Sequence, residues 1–124
     1  MKIKTSELTG VALDWAVAKC EGLDTIITYA PLRVLYKPKG KRSWYVYRPS
    51  TNYAQGSPII EREGISLDYA QAEDWGAKSS KYQWAYGPTH QIAAMRCYVA
   101  SKLGAEVEIP KELEQALRYY GNNV

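Results

Sequence analysis

Two hydrophobic periodicities divide the chain, and together they restrict it to a mixed architecture. Leu8, Val11, Ala12, Trp15 and Ala16 recur at helical spacing near the start. Ile92, Met95, Val99 and Leu103 do the same near the end, followed by Leu113, Leu117 and Tyr120. In the middle the period drops to two. Leu32, Val34 and Tyr36 alternate with Arg33, Leu35 and Lys37, and Trp44 and Val46 alternate with Tyr45 and Tyr47. Strands held between terminal helices predict an α+β fold: a small antiparallel sheet of about four to five strands, an N-terminal helix, a long helix near 89–103 and a short C-terminal helix. No repeat and no linker interrupts the pattern, so residues 1–124 read as one domain.

Punctuation sets the expected boundaries. Ser6 reads as a helix N-cap with Glu7 in the first turn, and Gly22 as the stop. Gly10 inside that helix costs about 1 kcal/mol relative to Ala, which implies close packing or a helix that begins later. A strand over 25–29 ends before Pro31. Pro38-Lys39-Gly40-Lys41 is turn chemistry and predicts a hairpin with a basic tip. Residues 49–58 read as a loop, 59–62 as a brief strand stopped by Gly64, 65–69 as another strand, 71–81 as irregular and 82–86 as a strand that closes the sheet. Gly87-Pro88-Thr89 opens the long helix and Gly104 ends it. Val107 and Ile109 flank Glu108 in an extended link, and Pro110 starts the last helix. Disorder is expected only at Gly121-Asn122-Asn123-Val124.

Charge is unevenly distributed. Residues 25–60 contain no acid but hold Arg33, Lys37, Lys39, Lys41, Arg42 and Arg48, while all thirteen acids lie outside, against ten Lys and Arg. Such a basic middle attracts anions. The aromatic inventory is equally biased, with eleven Tyr, four Trp and no Phe. Rings with a polar handle suit half-wet surfaces and clefts as well as cores. Cys20 and Cys97 are far apart in sequence and form no C-x-x-C pair, which points to a reducing compartment rather than to zinc or redox chemistry. The N-terminus lacks the apolar run of a signal peptide and no stretch approaches the length of a membrane span, so a cytoplasmic location is expected.

No catalytic constellation emerges. His90 lies in the first turn of the long helix, and Cys97 is two helical turns away, roughly 10 Å by the helical rise. Glu61 and Glu63 would share one face of a strand, where they pair with the basic hairpin more simply than they hold a metal. Glu73 and Asp74 read as a solvated loop pair beside Trp75. No glycine-rich phosphate loop precedes a helix. No cofactor, metal or catalytic residue is expected.

The remaining signal is the cluster of rings and arginines in the basic segment. Trp44, Tyr47, Arg48, Ser50, Tyr53 and Gln55 fall close together, with Arg62 beyond them. Rings stack on a planar base, worth about 1–3 kcal/mol each. Charge-assisted hydrogen bonds hold phosphate for about 1.5–3 kcal/mol. Gln55 would read a polar edge, and the small polar residues from Ser50 onward allow a close backbone approach.

Several strings in the chain are distinctive. They include Met1-Lys2-Ile3-Lys4-Thr5-Ser6-Glu7-Leu8, Leu13-Asp14-Trp15-Ala16-Val17-Ala18, and Pro49-Ser50-Thr51-Asn52-Tyr53-Ala54-Gln55-Gly56-Ser57-Pro58-Ile59-Ile60-Glu61-Arg62-Glu63. Gly87-Pro88-Thr89 followed by Ile92-Ala93-Ala94-Met95-Arg96-Cys97-Tyr98-Val99 is another. On these the chain resembles the NinX family of small proteins from lambdoid phages and prophages. The resemblance implies an accessory protein of an early phage gene cluster, made in the host bacterial cytoplasm, and it brings no catalytic or binding residues. The family pattern commonly has Trp where Tyr53 stands and Gly where Ser57 stands, which keeps a ring at the first position. Other residues are common where His90 stands, against a catalytic role for it.

The expectation is therefore a non-enzymatic binder that sequesters a small anionic, nucleotide-like molecule, such as a host-defence signal. Two alternatives remain. One is nucleic-acid binding through the basic hairpin. The other is an adaptor or inhibitor that docks on a host or phage protein, as Tyr, Trp and Arg also serve as interface hot spots. Self-association is compatible with all three.

Overall fold

The computed structural model describes residues 1–71 and 74–120. The elements are β1 (Lys2–Lys4), α1 (Gly10–Glu21), β2 (Thr25–Tyr29), β3 (Leu32–Tyr36), β4 (Tyr45–Val46), α2 (Tyr53–Arg62), β5 (Ser66–Gln71), β6 (Asp74–Lys78), β7 (Ala85–Gly87), α3 (His90–Leu103), β8 (Glu106–Glu108) and α4 (Lys111–Tyr120). The α+β class and the antiparallel pairing are as expected. The strands are divided among three small sheets, ordered β1-β8, β2-β3-β4 and β5-β6-β7.

α3 is the central post. Gln91, Ala93, Ala94, Met95, Cys97, Tyr98, Val99 and Ala100 are all buried, so the helix is covered on nearly every side rather than along one stripe. It packs on α1, α2 and the β5-β6-β7 sheet. Thr89 caps it by accepting from the Ile92 amide at 3.1 Å, and Gly104 follows its last turn. Leu8, Leu13, Val17 and Leu113 complete the core from the other helices and the first turn. Among the described residues no helix is long and apolar enough to cross a membrane.

β1 and β8 bring the termini of the core together. Their register sets Lys2 opposite Glu108 and Lys4 opposite Glu106, with Ile3 against Val107 between them. Opposite charges on facing strands stabilise such a pair. The link around Glu108 is therefore a paired strand. The β3–β4 hairpin has its expected basic turn, but only Leu35–Val46 and Tyr36–Tyr45 pair as ladder rungs. β2 joins β3 through a turn containing a cis Ala30–Pro31 bond.

Four boundaries differ from expectation. Ser6 does not cap α1: residues 5–7 form a short 3-10 turn, and α1 starts at Gly10, whose φ of +53° cannot continue a helix from the preceding residues. Thr9 precedes it in an extended conformation, and the αL Gly22 ends it as predicted. Residues 49–58 are not all loop, nor are 59–62 a strand. α2 runs through Pro58, capped by the Asn52 side chain at 3.2 Å from the Gln55 amide. The 71–81 segment contains β6, the central strand of its sheet, with Trp75 and Ala77 on the α3 side. β7 covers 85–87 rather than 82–86, because Trp84 has φ +62° and breaks the extended run. The expected tail disorder and the position of Glu73 fall outside the described residues.

Candidate functional site

A cleft of about 450 Å³ opens between α1 and the β3–β4 side of its sheet. It exists because β4 is only two residues long. Beyond the Tyr47 amide, which bonds the Val34 carbonyl at 2.8 Å, the chain leaves the sheet and turns at Arg48 towards α2. The start of β3 is thus left uncovered on that side. Val11 of α1, with Leu32 and Val34 of β3, forms an apolar floor, and Tyr47 forms a buried wall. Arg33 and Arg48, both exposed, stand on the rim.

Asp14 also lines this cleft, and it is 5% exposed. Its Oδ1 accepts a hydrogen bond from the Ser50 amide at 2.9 Å. Burial raises its pKa to about 7, against the opposing pull of the Ser50 hydrogen bonds and the Arg48 charge. A carboxyl in this state can donate or accept near neutral pH. The Ser50 hydroxyl is buried without a well-formed hydrogen bond of its own. Burial first, then the nearby Glu21 and Asp14, pushes the Tyr47 hydroxyl well above its ordinary range, so it remains a donor.

The geometry of this corner is fixed by Gln55. Its Oε1 accepts from the Arg48 amide at 2.7 Å and its Nε2 donates to the Val46 carbonyl at 2.8 Å. The side-chain amide thus replaces the missing strand partner of the departing chain. Gln91 of α3 holds the next residue, donating to the Pro49 carbonyl at 3.1 Å.

The seven residues singled out from the sequence separate into three groups. Tyr47 and Arg48 line the cleft, while Ser50 and Gln55 brace it from behind. Trp44 lies at the basic turn with Lys37 Nζ 5.4 Å from its ring centroid. Tyr53 is 60% exposed and faces His90, with ring centroids 6.0 Å apart. Arg62 is at the far end of α2, where Nη1 and Nη2 reach Glu21 at 3.0 and 2.6 Å and Nε reaches Glu63 at 2.9 Å. Its Nη2 also donates to the Tyr98 hydroxyl, which in turn donates to Glu21. Although burial opposes it, these bonds keep Glu21 below its usual pKa. Arg62 ties α1, α2 and α3 together. Glu63 pairs with this arginine rather than with the basic hairpin, and it follows the last residue of α2 as its C-cap, so the shared strand face expected with Glu61 does not exist.

Asp14, Arg33 and Val11 had not been anticipated as site residues. Asp14 carried a readable signal: a lone carboxylate between Leu13 and Trp15 in an otherwise apolar helical run. Neither thiol is activated. Burial raises Cys20 to about 11 and also raises Cys97. His90 contacts the rings of Tyr53 and Trp75. Among the described residues no group of three or more His, Cys, Asp or Glu converges as metal ligands would.

The family model described as Bacteriophage P22, NinX matches residues 4–102. The chain belongs to the NinX family. The matched span runs from β1 to the last turn of α3 and so contains every cleft residue. α4, which packs outside the NinX match, contributes nothing to the cleft. No curated protein matches the chain.

Proposed function

We propose that this NinX-family chain is a non-enzymatic binding protein for a small anionic, nucleotide-like ligand, acting in the cytoplasm of the host bacterium. The observation that carries this reading is the position of Asp14. A protonatable carboxyl sits in an apolar cleft whose rim holds two arginines, in a segment with no acid of its own. Pockets of a few hundred Å³ with an apolar body and a few placed polar groups are the usual form of small-molecule sites. A planar base fits between the aliphatic floor and Tyr47, an edge N–H meets Asp14, and phosphate meets Arg33 and Arg48. Withdrawing a signalling nucleotide from host defence needs no more chemistry than this.

Calorimetry against cyclic dinucleotides, ADP-ribose derivatives and inorganic phosphate tests the reading. One nucleotide should bind, and Arg48→Gln should weaken it by about tenfold to a hundredfold, the equivalent of a charge-assisted hydrogen bond. The Arg48 side chain is exposed, and its contribution to the turn is made by its backbone amide and carbonyl, so the variant should melt normally. Silence across the panel would remove the proposal.

A further inference from the structure

A second surface, which shares no residue with the cleft, has the features of a binding platform. Trp84 is the one non-glycine among the described residues with positive φ, at +62°. L-residues with large side chains avoid this region, and retained strain of this kind marks positions held for a purpose. The indole of Trp84 lies against Gly76 of β6. A Cβ at Gly76 would lie 3.0 Å from Cε3 and Cζ3 of Trp84 and 3.3 Å from Cε1 of Tyr86. Glycine thus lets two rings lie on one strand. The rings are nearly parallel, with 14° between planes and centroids 6.3 Å apart, yet they remain 38% and 51% exposed. Lys78 Nζ is 5.0 Å from the Trp84 centroid.

Beside the rings is a hollow of about 220 Å³, lined also by Arg96. The Arg96 guanidinium is fixed by two carbonyls, Leu8 through Nε and Tyr86 through Nη1, both at 2.8 Å. Among the described residues it makes no ion pair within 4.0 Å. Asp74 lines the same hollow but beyond that distance. Asp74 acts on this half-buried cation through space without touching it, so a guanidinium with no contact counter-ion among the described residues lines the hollow and is complementary to an anion. Parallel exposed rings are complementary to a planar base.

We infer that the Trp84–Tyr86 platform with Arg96 binds one nucleotide unit, base on the rings and phosphate at the guanidinium. The unit comes either from a free nucleotide or from a single strand passing over the open face. Lys78 would meet a neighbouring phosphate of a strand.

The test is calorimetric titration with adenosine, adenosine monophosphate, inorganic phosphate and an oligothymidylate of about eight residues, within common single-strand site sizes. Adenosine monophosphate should bind with a dissociation constant of about 1 mM or tighter, and better than adenosine or phosphate alone. Trp84→Gly relieves the backbone strain, so it should melt no lower than wild type by more than a few degrees. It should nonetheless weaken binding by about tenfold to a hundredfold, as loss of a stacking ring predicts. Tyr86→Leu keeps the backbone carbonyl that holds Arg96 and should weaken binding too. Arg48→Gln in the cleft should leave it unchanged, which separates this site from the first. Tighter oligothymidylate binding that weakens with salt identifies a strand as the source, and equal or weaker binding identifies the free nucleotide. If neither probe binds, or if binding survives both ring variants, the inference fails.

Discussion

Replacing Asp14 by Asn should flatten the pH dependence of stability and make the protein more stable at mildly alkaline pH. The folded state raises this carboxyl from 3.8 to about 7, chiefly because it is buried. A raised acid keeps its proton in the fold while the unfolded chain ionises. Its contribution is therefore fully favourable below the unfolded value and is lost as pH rises through the folded one. Stability of the wild type should fall between these two values and level off above them. At about 1.4 kcal/mol per pKa unit the full effect is about 4–5 kcal/mol as an upper bound, less whatever water in the cleft recovers. Asn keeps an oxygen for the Ser50 amide and carries no charge to desolvate. Urea denaturation across this window provides the measurement. Asp14→Asn should gain about 2–4 kcal/mol over wild type at mildly alkaline pH and little below the unfolded pKa. A variant that is weaker at both ends would show that the ionised carboxylate stabilises the fold, and that the cleft is more polar than its lining indicates.

The parts of the fold visible in the sequence were those whose local pattern and tertiary role agree. α1, α3 and α4 each combine helical spacing with a glycine stop or a proline start. β2 is short and β-branched, and the first three residues of β3 alternate between buried and exposed. α2 was hidden because its propensity contradicts its structure. Gly56, Ser57 and Pro58 stand in succession, and Pro58 both lacks the amide that would bond Ala54 and crowds that carbonyl. Tertiary packing overrides this. Gly56 and Ile59 are buried against the core, and the Asn52 cap was the available clue. β6 was hidden for a different reason. Asp74, Gly76 and Lys78 alternate with Trp75 and Ala77, a period of two masked by a glycine kept small for the rings above it. The pairing of β1 with β8 was present in the complementary strings Lys-Ile-Lys and Glu-Val-Glu, but partners about a hundred residues apart leave no local trace.

The candidate site was legible by composition and not by geometry. The acid-free segment contains both rim arginines, and Tyr47 and Arg48 do line one cleft. Yet Gln55, expected to read a ligand, spends its amide on backbone left unpaired by the short β4. Arg62, expected to hold phosphate, is taken up by Glu21, Glu63 and Tyr98. Asp14 was missed because a carboxylate in a helical run reads as solvated unless its depth is known. Trp84 was missed because a positive φ at a bulky residue has no signature in sequence.

The sharpest mechanical test of the cleft is Gly56→Ala. In an exposed helix this change would gain up to about 1 kcal/mol. Here the new methyl would meet the Pro49 carbonyl oxygen at 2.6 Å and Gln91 Nε2 at 3.2 Å. The first contact is with backbone, which Gln91 and the turn at Arg48 hold in place. Relief requires α2 to move outward or the 3.1 Å Gln91–Pro49 bond to break. Overpacking costs about 1–3 kcal/mol, and loss of a buried hydrogen bond adds about 1 kcal/mol or more. We expect a net loss of about 2–3 kcal/mol in urea denaturation. Movement of α2 also carries Gln55 away from Val46 and Arg48, so nucleotide affinity in the cleft should fall with stability. Gly76→Ala is the informative contrast. Its methyl meets ring carbons of the exposed Trp84 and Tyr86 rather than a carbonyl. Those rings can tilt aside, so its cost to stability should stay near or below about 1 kcal/mol, with cleft affinity unchanged. Should Gly56→Ala instead match or exceed wild-type stability, the Pro49 turn must yield easily, and a cleft braced by α2 would no longer explain how Asp14 and Arg48 are held for a ligand.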